Sequence, residues 1–164
     1  MEHRMRRPAT ESDFDQVFSI YTDDRVIPFL GYDPMPREEF QAIYAELIGG
    51  GNFFVHEMEG RIAGFYKSNR YPGRARHVAY IGSFAVNPQF QGRGLATRML
   101  KEAIASLRAI GIKRVELIVE SDNPAAIALY AKSGFEKEGT LRKFYKRAGE
   151  DHYVDDYLMA LLIE

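Results

Sequence analysis

The run NPQFQGRGLATRML (residues 87–100) sets Gly92 and Gly94 shortly after a proline and leads straight into an apolar, helix-forming stretch. A helix start presents unpaired backbone N–H groups and the positive end of the helix dipole. Glycines just ahead of it remove the side chains that would keep an anion away from those N–H groups. The stretch Gln91-Gly92-Arg93-Gly94-Leu95-Ala96-Thr97 therefore has the chemistry of a phosphate or pyrophosphate cradle. Read alone, the same glycines also suit a plain tight turn. Two common nucleotide motifs do not fit. A Walker loop places Lys and Ser/Thr directly after its last glycine, where Leu95 and Ala96 stand, and a dinucleotide fingerprint needs a small residue where Thr97 stands. The anion of such a turn then belongs to something other than a nucleoside triphosphate or NAD, which disfavours a dinucleotide-binding oxidoreductase.

A second stretch, SDNPAAIALYAKSGFEKEG (121–139), punctuates a short helix: Asn123 can cap it, Pro124 suits its first turn and Gly134 can close it. Tyr130 follows Ile127 at helical spacing, so periodicity alone makes it a core tyrosine. Arg93 reads equally as a solvated arginine or a phosphate contact. His3, His56, His77 and His152 show no metal-ligand spacing, and no metal is assigned.

Composition narrows the rest. Among 164 residues there are 22 Lys plus Arg against 23 Asp plus Glu, a net charge of −1 that gives no general field for nucleic acid or an anionic membrane. With no cysteine, disulfides, thiolate metal sites and cysteine nucleophiles are excluded. No apolar run approaches the ~18 residues that span a bilayer, and MEHRMRRPATESDF has no apolar signal region, so a cytoplasmic protein is expected. No linker or repeat divides the chain, and one domain over 1–164 is expected.

The elements that must position these residues follow from periodicity. Residues 4–8 suit a short strand; Thr10, Ser12 and Asp13 precede a helix carrying Phe14, Val17, Phe18 and Tyr21. Pro36, Glu38 and Glu39 open a second helix that should stop at Gly49-Gly50-Gly51. NFFVHEMEGRIAGFYKS reads as two strands around Glu59-Gly60, RYPGRAR (70–76) as a loop, and HVAYIGSFAV (77–86) as a central strand. Leu95, Met99, Leu100, Ala103, Ile104 and Leu107 form one helix face ending by Gly111, and KRVELIVE (113–120) alternates as a strand. The short helix after Asn123 precedes a hairpin from Leu141 around Ala148-Gly149-Glu150. The class is α/β or α+β, with about four helices on a mixed, mostly antiparallel sheet.

Two of these stretches resemble one family. Gln91-Gly92-Arg93-Gly94-Leu95-Ala96 matches the Gln/Arg-x-x-Gly-x-Gly/Ala signature of the GCN5-related N-acetyltransferase (GNAT) family, SFAVNP is similar to its fourth strand, and residues 121–139 are similar to its second signature. The likeness covers nearly the whole chain, including the element order. It implies that N–H groups from Gly92 to Thr97 hold the pyrophosphate of acetyl-CoA, and that backbone groups of Phe84, Ala85 and Val86 pair with its pantetheine arm. An N–H there would also polarise the thioester carbonyl. Asn123 would hydrogen-bond the pantetheine, and Tyr130 would protonate the departing thiolate. The implied activity is acetyl transfer from acetyl-CoA to a primary amine by direct attack in a ternary complex. A non-catalytic acyl-CoA sensor of the same fold is the alternative.

The pattern breaks at the base. Members carry a Glu four residues before Phe84, where Tyr80 stands, or five residues before the Asn, where Ile118 stands. Glu120, His77, Tyr80 or water remain open. The C-terminal run from Phe135 is similar to members acting on L-amino acids or protein N-termini, so the expected partner is a small-molecule or peptide amine. Phe29, Tyr32 and Tyr71 are candidates to line its pocket. Monomer and homodimer both stay open.

Overall fold

The computed structural model describes residues 5–164; Arg4, placed above in the opening strand, and His3 lie outside the described residues. The strands are β1 (Met5–Pro8), β2 (Phe53–Met58), β3 (Arg61–Arg70), β4 (Val78–Val86), β5 (Arg114–Glu120), β6 (Glu136–Tyr145) and β7 (Val154–Leu162). The helices are α1 (Phe14–Tyr21), α2 (Arg37–Gly49), α3 (Leu95–Ala109) and α4 (Pro124–Lys132). Four α-helices with a seven-stranded, mostly antiparallel sheet give the mixed class expected. The largest difference is at β6, which begins at Glu136, ahead of the expected Leu141, because the strand pairs with β7 across a break in register between Lys137 and Gly139.

Contacts divide the chain into two compact units, one of residues 1–68 and 83–96, the other of residues 69–82 and 97–164. In the first, β1 pairs antiparallel with β2 and β2 with β3, across a turn in which Glu59 (φ 54°) and Gly60 (φ 72°) are left-handed. Helices α1 and α2 cover a core of Val17, Tyr21, Phe40, Tyr44, Phe53 and Phe65. Its aromatic rings meet at tilted angles, with Tyr21 and Phe40 centroids 4.9 Å apart and Phe53 and Phe65 5.3 Å apart. The buried Asp13 carboxylate is matched by Arg7, whose guanidinium binds it at 2.7 and 2.8 Å and also reaches Glu57. That pairing holds the Asp13 carboxyl below the usual carboxylate range.

In the second unit the first residues of β4 pair parallel with β5, and β5 pairs antiparallel with β7 over seven consecutive positions. Val115, Leu117 and Val119, the expected inward set of β5, are buried, and so is the apolar face of α3 from Met99 to Leu107.

Phe40 is fully buried between three rings of α1 (Phe14, Phe18 and Tyr21) and Tyr44. Phe40→Ala should therefore cost about 3–5 kcal/mol of stability, read as a lower urea midpoint; a loss under about 1 kcal/mol would mean that this cluster is not the core of its unit.

Candidate active site

The glycine turn is built in the first unit. Asn87 fixes the end of β4: its amide N–H donates to Ala63 O at 2.8 Å, its side-chain Nδ2 to Ile62 O at 3.1 Å, and its Oδ1 accepts from Gln89 N at 3.0 Å. Phe90 is buried beneath the turn and Leu95 is buried just inside the helix, so both flanks are anchored while Gln91 to Gly94 stay exposed. Gly92 (φ 80°) and Gly94 (φ 73°) are left-handed, and a Cβ built on either would meet nothing within 4 Å. The backbone conformation is what demands glycine, since the space a side chain would fill is open. Ala96 is half-buried and Thr97 exposed. Arg93 bonds Glu59 at 2.9 Å, with its guanidinium 5.1 Å from the Phe90 ring centroid.

Within β4, Ser83 has φ 49°, a left-handed residue inside a strand. Such positions typically cost about 1–3 kcal/mol and cluster at sites of function. No residue type announces it, and sequence reading missed it. The residues that follow are Phe84, half-buried with its ring 6.3 Å from that of Tyr66, the buried Ala85 and the half-buried Val86.

The titratable groups gather in the second unit. Asn123 caps α4, its Oδ1 accepting from Ala126 N at 3.3 Å, while its Nδ2 donates to Glu120 Oε2 at 3.3 Å. Tyr130, in the last turn of α4, is 8% exposed and packs against Phe135 with ring centroids 5.9 Å apart. Burial, then the nearby charge of Glu120, pushes its phenol above the ordinary range, so it stays protonated at neutral pH. Burial likewise pushes the Glu120 carboxyl up to about 7, against the hydrogen bond from Asn123, and the Tyr80 phenol up to about 12. Strand register sets Glu120 directly opposite Asp156 of β7. Asp156 is buried and its carboxyl is pushed up to about 6, by desolvation first, against the charge of Arg147.

Of the candidate side chains for a base, Glu120 carries a carboxyl that burial raises toward neutrality, and His77 and Tyr80 differ from it in place and in acidity. His77 is exposed, and its carbonyl accepts from Arg114 N at the far end of β5, about 20 Å from Glu120 at the rise of an extended strand. Tyr80 shares the cluster, but its phenol is too weakly acidic to be an anion near neutrality. Of the loop aromatics, Tyr71 is tied down by its hydroxyl, which donates to Glu116 at 3.0 Å; Phe29 and Tyr32 are exposed residues of the other unit. Asp156 was missed by the motif search. It sits in phase with Val154, Leu158 and Ala160, and an acid in the apolar phase of a strand is the signal that could have found it.

The model of the acetyltransferase (GNAT) family matches residues 12–135. The chain belongs to the GNAT acetyltransferase family. It is 35% identical over 127 residues to the N-alpha-acetyltransferase RimI of Mycobacterium tuberculosis, covering 77% of each protein. It is 42% identical over 88 residues to the L-amino acid N-acetyltransferase AaaT of Escherichia coli, covering 53% of this chain and 52% of that protein. An N-acetyltransferase structure from Staphylococcus aureus Mu50 superposes with a TM-score of 0.81 over 99% of both chains at 24% identity, which shows the GNAT fold. No helix among the described residues is long and apolar enough to cross a membrane.

The raised Glu120 carboxyl has a thermodynamic signature. Its folded-state value lies above the ordinary 4.5, so folding favours the neutral form, and that contribution is full at low pH and is lost as pH rises through about 7. Denaturant midpoints at pH 5 and pH 8 should show this GNAT protein losing about 1–3 kcal/mol more than Glu120→Gln, whose amide stays neutral. Equal losses in the two proteins would place Glu120 in water.

Proposed function

We propose that this chain is an N-acetyltransferase that moves an acetyl group from acetyl-CoA to the α-amino group of an amino acid or of a peptide N-terminus, as one domain over residues 1–164. The observation that carries the reading is the buried, protonated Tyr130 phenol within the field of a Glu120 carboxyl poised near neutrality. The two relatives are named for acetylating N-terminal α-amines and L-amino acids, which share the α-amine. The α-amino group of a peptide N-terminus, with an ordinary pKa of about 7.7–8.0, needs little help from a base of this strength, and that of a free amino acid needs more.

The residues fit acetyl-CoA. The left-handed Gly92 and Gly94, with open space where side chains would stand, suit backbone donation to a pyrophosphate from Gln91, Gly92, Arg93, Gly94, Leu95, Ala96 and Thr97. Glu59 holds Arg93 at the rim of that turn. Phe84, Ala85 and Val86 would offer main-chain groups to the pantetheine and to the thioester carbonyl, and Asn123 would offer a polar side-chain contact. Bound there, acetyl-CoA supplies an acyl group on a good leaving thiol.

The protons then move through this chain's own groups. The Glu120 carboxylate takes a proton from the acceptor's ammonium, and the freed nitrogen lone pair forms the C–N bond. As the C–S bond breaks, the Tyr130 hydroxyl gives its proton to the leaving thiolate, and the second proton shed by the acylated nitrogen restores the Tyr130 phenol. Glu120 departs from the family position at Ile118 by two residues, which in a strand keeps the same face and moves about 6.6 Å along it.

A thiol-release screen with acetyl-CoA against amino acids, peptide N-termini, polyamines and aminoglycosides tests the reading; turnover confined to the last two classes would reject an α-amine acceptor. Acetyl-CoA binding with no turnover on any amine would make the chain a sensor. On the best amine, Tyr130→Phe should lower kcat by about 10²–10⁴-fold while acetyl-CoA affinity holds. Activity within a few-fold of the parent would remove Tyr130 as the acid.

A further inference from the structure

We propose that Glu120 and Asp156 work as one proton-sharing carboxyl pair, in which Asp156 sets the basicity of Glu120 and its buried Oδ1 shares the proton that Glu120 takes from the acceptor. The proposal rests on the acetyltransferase reading above for its catalytic consequence, though not for the existence of the pair. Asp156 acts through Glu120 and is a positioning residue.

The geometry comes from register. Glu120 and Asp156 are direct partners across the β5–β7 ladder. Side chains of directly opposed residues project from the same sheet face with Cβ atoms about 4.5–5.5 Å apart, a spacing two carboxyl groups can close. Asp156 is 5% exposed, and its Oδ1 has no hydrogen-bond partner among the described residues. A buried carboxylate oxygen without a donor is strongly disfavoured. Its cross-strand neighbour on the other side is the apolar Leu141 of β6, and on its own strand Val154 and Leu158 flank it in phase. None of these three neighbours can supply a donor, whereas Glu120, its partner across the β5–β7 ladder, carries one O–H when protonated.

The surrounding charges leave that role to the pair. From β4 comes Tyr80 and from α4 Tyr130, both phenols that burial keeps neutral at physiological pH. Tyr145 of β6 is also pushed up by burial. The nearest cation, Arg147, binds Asp122 at 2.6 and 3.0 Å and the Tyr145 hydroxyl at 2.5 Å. It lowers both carboxyls of the pair, yet desolvation outweighs it at each. Asp155 points its Oδ1 at Lys143 N, 2.8 Å away, and Glu116 on β5 is held by Arg114 and by Tyr71. Two carboxylates facing each other in such a place repel, and one proton bridging them relieves both the repulsion and the orphaned oxygen. The doubly ionised pair is the base. It takes one proton from the acceptor's ammonium and becomes a singly protonated pair, while the nitrogen keeps its lone pair for attack, so charge and protons balance.

Carbon-detected NMR titration of the side-chain carboxyls in the ligand-free protein tests the pair without reference to activity. Both the Glu120 and the Asp156 signals should report the same two steps. In Asp156→Asn, which keeps shape and removes charge, the Glu120 midpoint should fall by about one pH unit or more. In Glu120→Gln the upper step at Asp156 should fall by a matching amount, because coupling between two sites is reciprocal. Independent single steps in the parent protein, or a Glu120 midpoint unmoved in Asp156→Asn, would overturn the pair; the parent titration decides the matter even where a variant fails to fold. With an accepted amine in hand, the ascending limb of kcat/KM against pH should move down with the Glu120 midpoint in Asp156→Asn. A change in thermal stability with that limb unmoved would overturn the catalytic role of Asp156. Coupled titration in a protein that acetylates no amine would sink the acetyltransferase reading and leave the pair standing.

Discussion

A strand has a period of two, and on β5 that constraint decides the chemistry of the whole second unit. Val115, Leu117 and Val119 are buried on one side, which forces Glu116, Ile118 and Glu120 onto the other. Seven consecutive pairs with β7 then leave no freedom about which residue faces Glu120: a slip by one would turn Val115, Leu117 and Val119 the wrong way. The hydrophobic effect thus fixes the register, and the register brings two acids together that neither attraction nor local sequence would have joined. Desolvation at that place raises both carboxyls toward neutrality, so a proton site follows from the same burial that stabilises the strand.

The first unit solves a different problem by local means. An anion cradle needs backbone donors with nothing in front of them, and an L-residue at φ 80° or 73° would be strained wherever its side chain pointed. Glycine at 92 and 94 avoids that strain and adds no side chain, and the buried Phe90 and Leu95 anchor the exposed turn on either side. Ser83 in β4 is held left-handed with a β-carbon, so part of the stability of this unit is spent on bending the strand just before Phe84, Ala85 and Val86.

This contrast explains what was legible in the sequence. The order of elements, the helix caps at Asn123 and Gly134, the Glu59-Gly60 turn and the glycine turn are all local, and residue type announces each one. The apolar faces of α3 and β5 were legible through periodicity. Ser83 was not, because serine carries no mark of a positive φ. Asp156 was not either, because its partner lies 36 positions earlier in the chain and only the β5–β7 ladder joins them. Glu120 stood among several candidates for a base, and what distinguishes them is three-dimensional: His77 lies beside the opposite end of β5, and burial makes the Tyr80 phenol a weaker acid.

The break from the family pattern at Ile118 follows the same logic. A base needs a face, a depth and a field, and along a strand two positions of the same phase share the face. Moving the carboxyl from 118 to 120 keeps it on that face and carries it to the last residue of the strand, where Asn123 at the start of α4 reaches back to it at 3.3 Å. That shift also changes its partner across the ladder, from the apolar Leu158 to Asp156. A lone carboxyl opposite leucine would owe its basicity to desolvation alone, whereas one opposite a buried aspartate gains it from charge repulsion as well. The acid at the end of β5 and the acid in the apolar phase of β7 are thus brought face to face by register alone.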